Sequence, residues 1–322
     1  MNGRKALVVG IDDYPGSRLY GCVSDANIIA KLLEKNYDGT PNFDVVLKTD
    51  IETKAELMKA IKETFKSDVD CALFFFSGHG FVDSVSGYIV TPDYVEGDMG
   101  LSMSEITKIV NVSKCKNRIV ILDCCHSGNM GNMDTGEITT IKEGVTILSA
   151  CRSGEYAIEF DGRGLFTSLL SNALEGEAST LMGDVTPGAI YALVDRSLGP
   201  WDQRPVFKTN VSSFISLRKT SPPISRDVLS KITDYFATPD HQYILNPSFE
   251  YTNHPEEKHE LKEPYANEDN VKKFKDLQIM ASAGLVKPVD ENYMYYAAMK
   301  SKSCKLTVVG HHYWSLVKNK RI

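Results

Sequence analysis

Apolar and polar residues along the first 218 positions follow two alternating periods. Nearly unbroken apolar runs at Lys5–Ile11, Cys71–Phe76, Arg118–Leu122 and Val145–Leu148 predict buried strands, and Phe43–Leu47 predicts another. Between them the period lengthens. Val23–Lys35 gathers Ile28, Ile29, Leu32 and Leu33 on one side of a helix, and Thr53–Phe65 does the same with Leu57, Met58 and Ile61 behind a capping Thr53. Ser102–Val110, Gly164–Leu174 and Pro187–Leu198 complete the set of helices. Strands apolar throughout, alternating with amphipathic helices, predict an α/β fold whose mostly parallel sheet is covered on both faces.

The pattern changes after residue 218. Ser221-Pro222-Pro223 reads as a linker, which divides the chain into a domain at 1–218, a connection at 219–224 and a smaller α+β domain at 225–322. Pro239–Pro264 has no period and predicts a long loop. Asn270–Ala283 predicts a helix stopped by Gly284, followed by strands at Leu285–Pro288 and Met294–Thr307 and a last helix at Gly310–Lys318. A helix followed by a two-stranded ribbon resembles a winged helix.

Composition narrows the classes. Of 322 residues, 42% are hydrophobic and 24% charged, an ordinary globular balance. A net charge of −6 argues against nucleic acid as the main partner, although residues 287–322 hold 7 basic against 2 acidic residues. The start lacks the apolar stretch of a signal peptide, and no run approaches the roughly 20 apolar residues of a membrane span. No membrane partner and a cytoplasmic location are therefore expected. The seven cysteines are odd in number and irregular in spacing, which predicts free thiols in a reducing compartment. With no Cys-x-x-Cys pair and no metal spacing among His241, His254, His259, His311 and His312, no cofactor is expected.

Two segments carry chemistry. Phe76-Ser77-Gly78-His79-Gly80 and Asp123-Cys124-Cys125-His126-Ser127-Gly128 each end an apolar strand. Ligand sites in such sheets lie beyond the carboxyl ends of the strands, so an imidazole and a thiol can meet at one edge. A thiolate beside a histidinium is an activated nucleophile. Side chains alternate along a strand end, so only one of Cys124 and Cys125 can face the site.

Further segments agree with these in order. Lys5–Asp12, Gly21-Cys22-Val23-Ser24-Asp25-Ala26, Tyr88–Asp93, Ser149-Ala150-Cys151 through Gly164–Thr167, and Gln203-Arg204-Pro205 join the two above. Together, residues 5–217 resemble a caspase-family cysteine peptidase, within it the metacaspase or bacterial caspase-like branch. A His about 50 residues upstream of the Cys is the spacing of caspase-type proteases. The resemblance implies Cys125 as nucleophile, His79 as its partner base and acid, and the backbone N–H groups of Gly80 and Cys125 as the oxyanion hole. His126, adjacent to Cys125, is read as structural. The resemblance also implies that Cys22, Asp25, Ser77 and Asp123 line the primary pocket. Two carboxylates there favour a protein substrate with Arg, or less readily Lys, before the scissile bond.

Many metacaspases need calcium. Asp93 and Asp134 are the candidate ligands, but Leu101–Val110 offers only Glu105 where a tandem acidic pair is expected. Self-processing between residues 129 and 144 has only Lys142 to use. The C-terminal region carries no catalytic signature and is expected to bind a regulatory partner. A cell-death or defence pathway is what the resemblance implies. The alternative is a catalytically silent caspase-like scaffold, or a nucleic-acid-binding regulator acting through the C-terminal domain.

Overall fold

Alternate residues of one strand belong to two different cores. In strand β1 (Arg4–Gly10), Ala6 and Val8 pack to one side of the sheet and Leu7 and Val9 to the other. The same division runs through β3 (Cys71–Ser77) and β7 (Asn117–Asp123), where Cys71, Leu73, Phe75, Ile119 and Ile121 face one core while Phe74, Phe76, Val120 and Leu122 face the second. Strands covered on both faces are apolar at successive interior positions, which is why their sequence shows no two-residue alternation.

The computed structural model describes residues 3–82, 87–124, 140–150, 159–160, 163–198, 205–254 and 261–322. It divides into two units, Met1–Ser221 and Pro222–Ile322. In the first, β2 (Asp44–Thr49), β8 (Val145–Ser149) and β12 (Val206–Asn210) join β1, β3 and β7 in a six-stranded sheet of order β12-β8-β7-β3-β1-β2. All neighbours are parallel except β12, which runs antiparallel to β8 at one edge. This is the mixed α/β, mostly parallel architecture expected.

Helices α1 (Cys22–Glu34), α4 (Leu165–Asn172) and α5 (Pro187–Leu198) cover one face through Ile29, Leu33, Phe166, Leu170, Ile190 and Val194. Helices α2 (Lys54–Lys66) and α3 (Met103–Val112) cover the other through Leu57, Ile61, Phe65, Ile106 and Val110. Thr53 caps α2, its hydroxyl accepting from Glu56 N at 3.2 Å, and Ser102 and Glu105 form a reciprocal capping box on α3. A small antiparallel sheet of β4 (Gly80–Val82), β5 (Gly87–Val95) and β6 (Asp98–Ser102) lies between β3 and α3 in the chain. Two short pairings complete the unit: β9 (Glu159–Phe160) with β10 (Arg163–Gly164), and β11 (Asp184–Val185) with β13 (Arg218–Lys219).

The strand order places the switch point between β1 and β3. The chain leaves β1 for β2 on one side, then returns across β1 to β3 and continues to β7 and β8 on the other. The connections diverge there and open a crevice at the carboxyl ends.

The second unit comprises α6 (Arg226–Ser230), α7 (Ile232–Tyr235), β14 (Gln242–Ile244), α8 (Glu268–Ser282), β15 (Val286–Pro288), α9 (Met294–Met299), β16 (Ser303–Leu306) and α10 (Val308–Lys318). Its antiparallel sheet has the order β14-β16-β15. Gly284 follows α8 with φ +73°, the left-handed conformation that glycine adopts without strain.

Two segments of this unit differ from the expected pattern. Met294–Thr307 is not strand throughout: Met294, Ala297 and Ala298 bury at i, i+3 and i+4, a helical spacing masked by the strand-favouring Tyr293, Tyr295 and Tyr296. Pro239–Pro264 is not loop throughout either. It holds β14, and a 3₁₀ turn at Pro247–Phe249 capped by Asn246, whose side chain accepts from Ser248 N at 3.0 Å.

Candidate active site

The β3–β7 register sets out the site. Ser77 pairs with Asp123 at the last rung, and Gly78 N donates to Asp123 O at 3.3 Å. His79 follows two residues after Ser77. Cys125 follows two residues after Asp123 and, with His126, Asp134, Cys151, Gln203 and Arg204, lies outside the described residues. Cys124 is 2% exposed and packs with Tyr14 and Leu122 in the core under α2 and α3.

His79 is held from three directions. Its Nε2 lies 2.7 Å from the Ser17 carbonyl oxygen and 3.0 Å from Ser17 Oγ. A carbonyl only accepts, so Nε2 carries the proton and Nδ1 is the acceptor of the neutral ring. The His79 N–H donates to Tyr14 Oη at 3.1 Å, and the Tyr14 ring meets the imidazole edge-on with centroids 4.6 Å apart. Tyr14 Oη in turn donates to Val90 O at 3.3 Å, and burial pushes its phenol well above the usual tyrosine range, so it stays protonated. A side chain on Gly78 would strike Tyr14 Oη at 2.5 Å, so this close approach requires glycine. Val90 N donates to His79 O at 2.9 Å, which makes Gly80 and Ile89 a non-hydrogen-bonded pair and leaves the Gly80 N–H out of the ladder.

The pocket residues come from three elements. Asp25 sits in the first turn of α1, Ser77 ends β3 and Asp123 ends β7; they are 2%, 2% and 5% exposed. Ser77 Oγ donates to Asp25 Oδ2 at 3.5 Å, and Gly164 N to the same oxygen at 3.4 Å. Thr167 donates to Asp123 Oδ2 through both N (3.1 Å) and Oγ1 (2.6 Å). A Cβ on Gly164 would lie 2.6 Å from that oxygen, so only glycine admits the carboxylate there. Cys22 closes the group. Burial raises its thiol pKa far above the usual range, the Asp12, Asp123 and Asp25 charges raise it further, and the Ser77 hydroxyl opposes them. Cys22 is therefore a neutral wall and no rival nucleophile. Its N–H donates to Asp12 Oδ1 at 2.8 Å, which caps α1 from the loop after β1.

The structure thus brings Cys22, Asp25, Ser77 and Asp123 together at the sheet edge that bears His79. Sequence reasoning missed Tyr14, Ser17 and Thr167. Thr167 lies within a segment already singled out. Tyr14 and Ser17 lie in a polar loop with no local signal.

Among the described residues, the set around Asp93 does not suit calcium. Asp93 accepts from Lys54 N at 3.1 Å through both oxygens and from Thr91 Oγ1 at 2.6 Å. The nearby acids Asp98 and Glu105 already face a cation, with Lys54 Nζ 2.9 and 4.0 Å away. Among the described residues no three His, Cys, Asp or Glu side chains are grouped to hold a metal.

The profile of the caspase domain matches residues 3–215. The chain belongs to the caspase domain family. Membership supports cysteine peptidase chemistry. Protein GSU0716 from Geobacter sulfurreducens has a similar fold, with a TM-score of 0.52 at 18% identity over 68% of this chain and 98% of that one. Caspase-1 from Spodoptera frugiperda aligns at 14% identity over 68% and 91%, with a TM-score of 0.49. No curated protein matches by sequence. Among the described residues no helix is long and apolar enough to cross a membrane.

Proposed function

We propose that this caspase domain is a cysteine endopeptidase that cuts a protein substrate after Arg, and less readily after Lys, with His79 and Cys125 as its catalytic pair. One observation carries the specificity: Asp25, Ser77 and Asp123 converge from α1, β3 and β7 at the edge that bears His79. A guanidinium offers a planar fork of donors to such carboxylates, whereas an ammonium is a compact point charge. A substrate Asp would meet like charge.

Nδ1 of His79 takes the thiol proton while Nε2–H stays on the Ser17 carbonyl. The thiolate attacks the scissile carbonyl carbon, and the oxyanion accepts from the Gly80 and Cys125 N–H groups. The C–N bond breaks as the histidinium returns the proton to the leaving amine. Water then hydrolyses the thioester and restores the thiol. The second unit, with α8 leading into the β15–β16 ribbon, serves regulation or partner binding in this scheme.

Fluorogenic peptides with Arg, Lys or Asp before the scissile bond test it. Hydrolysis is expected in the order Arg then Lys, with none after Asp. Cys125→Ala removes it, a loss of about 10³-fold or more, whereas Cys124→Ala leaves the enzyme largely active. A preference for Asp would overturn the pocket assignment. Turnover that survives Cys125→Ala would overturn the nucleophile. No turnover, with or without added calcium, would return the domain to the role of scaffold.

A further inference from the structure

Two cavities adjoin at the amino ends of β7 and β8, the end of the sheet opposite the candidate site. The first, about 520 Å³, opens between the last turns of α2 and α3; Phe65, Ile109 and Val112 form its apolar wall and Lys62, Lys66 and Lys114 surround it. The second, about 480 Å³, holds Lys116, Asn117 and Arg118 with Ser212 and Ser213. Ser113 and Lys114 line both, so one groove has an apolar half and a cationic half.

Fold stability explains only part of this. Lys66 complements the carboxyl end of α2, and Arg118 ties down the Ser113 and Glu143 carbonyls. Lys116 pairs with Asp70 at 3.0 Å. No such reason covers Lys62 and Lys114, nor Val112, a large apolar side chain left 76% exposed. Lys62 and Lys66 lie four apart on one helix face, an arrangement that repels. Among the described residues neither they nor Lys114 enters an ion pair. Three lysines thus surround the apolar pocket and Lys116 and Arg118 line the adjoining one, in a chain of net charge −6, and among the described residues Glu143 is the only acid lining either cavity.

We propose that this groove docks an acidic protein segment. One large apolar side chain of the segment sits against Phe65, Ile109 and Val112, and neighbouring Asp or Glu residues run over Lys114 toward Lys116. Charge complementarity selects an anionic occupant. Its extended form selects a peptide, since the lysines are strung along α2 and the turn after α3 and suit carboxylates spaced along a chain. Beside its lysines the apolar half offers a nucleotide base only the Ser113 hydroxyl, and no side-chain acceptor other than that oxygen. The groove lies roughly 16 Å along β7 from Asp123, so binding there is measurable without turnover and stands apart from the peptidase proposal.

The test selects random dodecapeptides displayed on phage against the full chain, then measures the enriched peptides by fluorescence anisotropy. Enriched sequences should carry Asp or Glu beside Leu, Ile, Met or Phe, and bind more weakly as salt rises. Binding should fall at least tenfold in Lys62→Glu/Lys114→Glu and separately in Val112→Glu. Thermal unfolding of both variants should match the parent, since all three residues are on the surface. Failure to enrich any acidic peptide would overturn the proposal, as would binding that ignores both variants. Equal competition by ATP or by phosphatidylserine vesicles would overturn it in favour of a phosphate-bearing ligand.

Discussion

Strand β7 carries a buried charge at each end, and the two ends do different things. Arg118, 6% exposed, is its second residue; Asp123, 5% exposed, closes it. The Arg118 guanidinium donates to the carbonyls of Ser113 and Glu143 and so fastens two turns of its own neighbourhood. Asp123 accepts from Thr167 of α4 and stands beside Ser77 of β3. Arg118 is answered by main-chain carbonyls near it in the chain, Asp123 by the N–H and hydroxyl of Thr167, a residue of a separate element. Burial alone therefore does not mark a site. The carboxyl end differs because the connections from β1 and β3 diverge there and leave room for a ligand among side chains.

Three substitutions test this contrast. The largest effect is expected for Asp123→Asn, which should lower kcat/KM for Arg peptides by roughly 10²-fold or more, about 3 kcal/mol of lost charge interaction, through a raised KM. If a peptide with a neutral residue before the scissile bond loses as much, Asp123 is structural and the contrast collapses. Arg118→Met comes next. It removes the charged donor shared by two part-buried carbonyls and should destabilise the domain by about 2 kcal/mol, read by urea unfolding, with kcat/KM on short peptides unchanged. A loss of turnover without a loss of stability would show that the amino end serves the chemistry after all. The smallest effect is expected for Tyr14→Phe, which removes the acceptor of the His79 N–H and should lower kcat by about tenfold. KM should stay near the parent value and the pH–rate profile should move. A change in unfolding free energy with an unaltered pH profile would reduce Tyr14 to packing.

Legibility followed element type. β3 and β7 were plain in the sequence because the middle of a strand buried on both faces is apolar at successive positions, with polar residues kept to its ends. Thr53 announced the start of α2, and Pro187–Leu198 was read to its ends. In the second unit, β14 spans only Gln242–Ile244, too short to show a period, and exists because β16 pairs with it. Helix α9 was hidden because tyrosines favour strands on average, whereas its burial at Met294, Ala297 and Ala298 depends on what lies beneath. Tyr14 and Ser17 lacked a signal for another reason: their partner His79 is distant in sequence, and the contact uses a phenol and a main-chain carbonyl.

By itself, the sequence determined which residues can do chemistry and that they end strands: His79 after Ser77, Cys125 after Asp123, and Asp25 in the opening turn of a helix. These follow from local rules, because strand burial, helix period and motif spacing are written in consecutive residues. Only the tertiary structure decided that Ser77 and Asp123 share a rung, that Gly164 and Thr167 close on the carboxylates, and that Nε2 of His79 is taken by Ser17. The same holds for the groove where α2 and α3 end above β7. Each of these depends on register and packing between segments far apart in the chain, and no short window of sequence contains both partners.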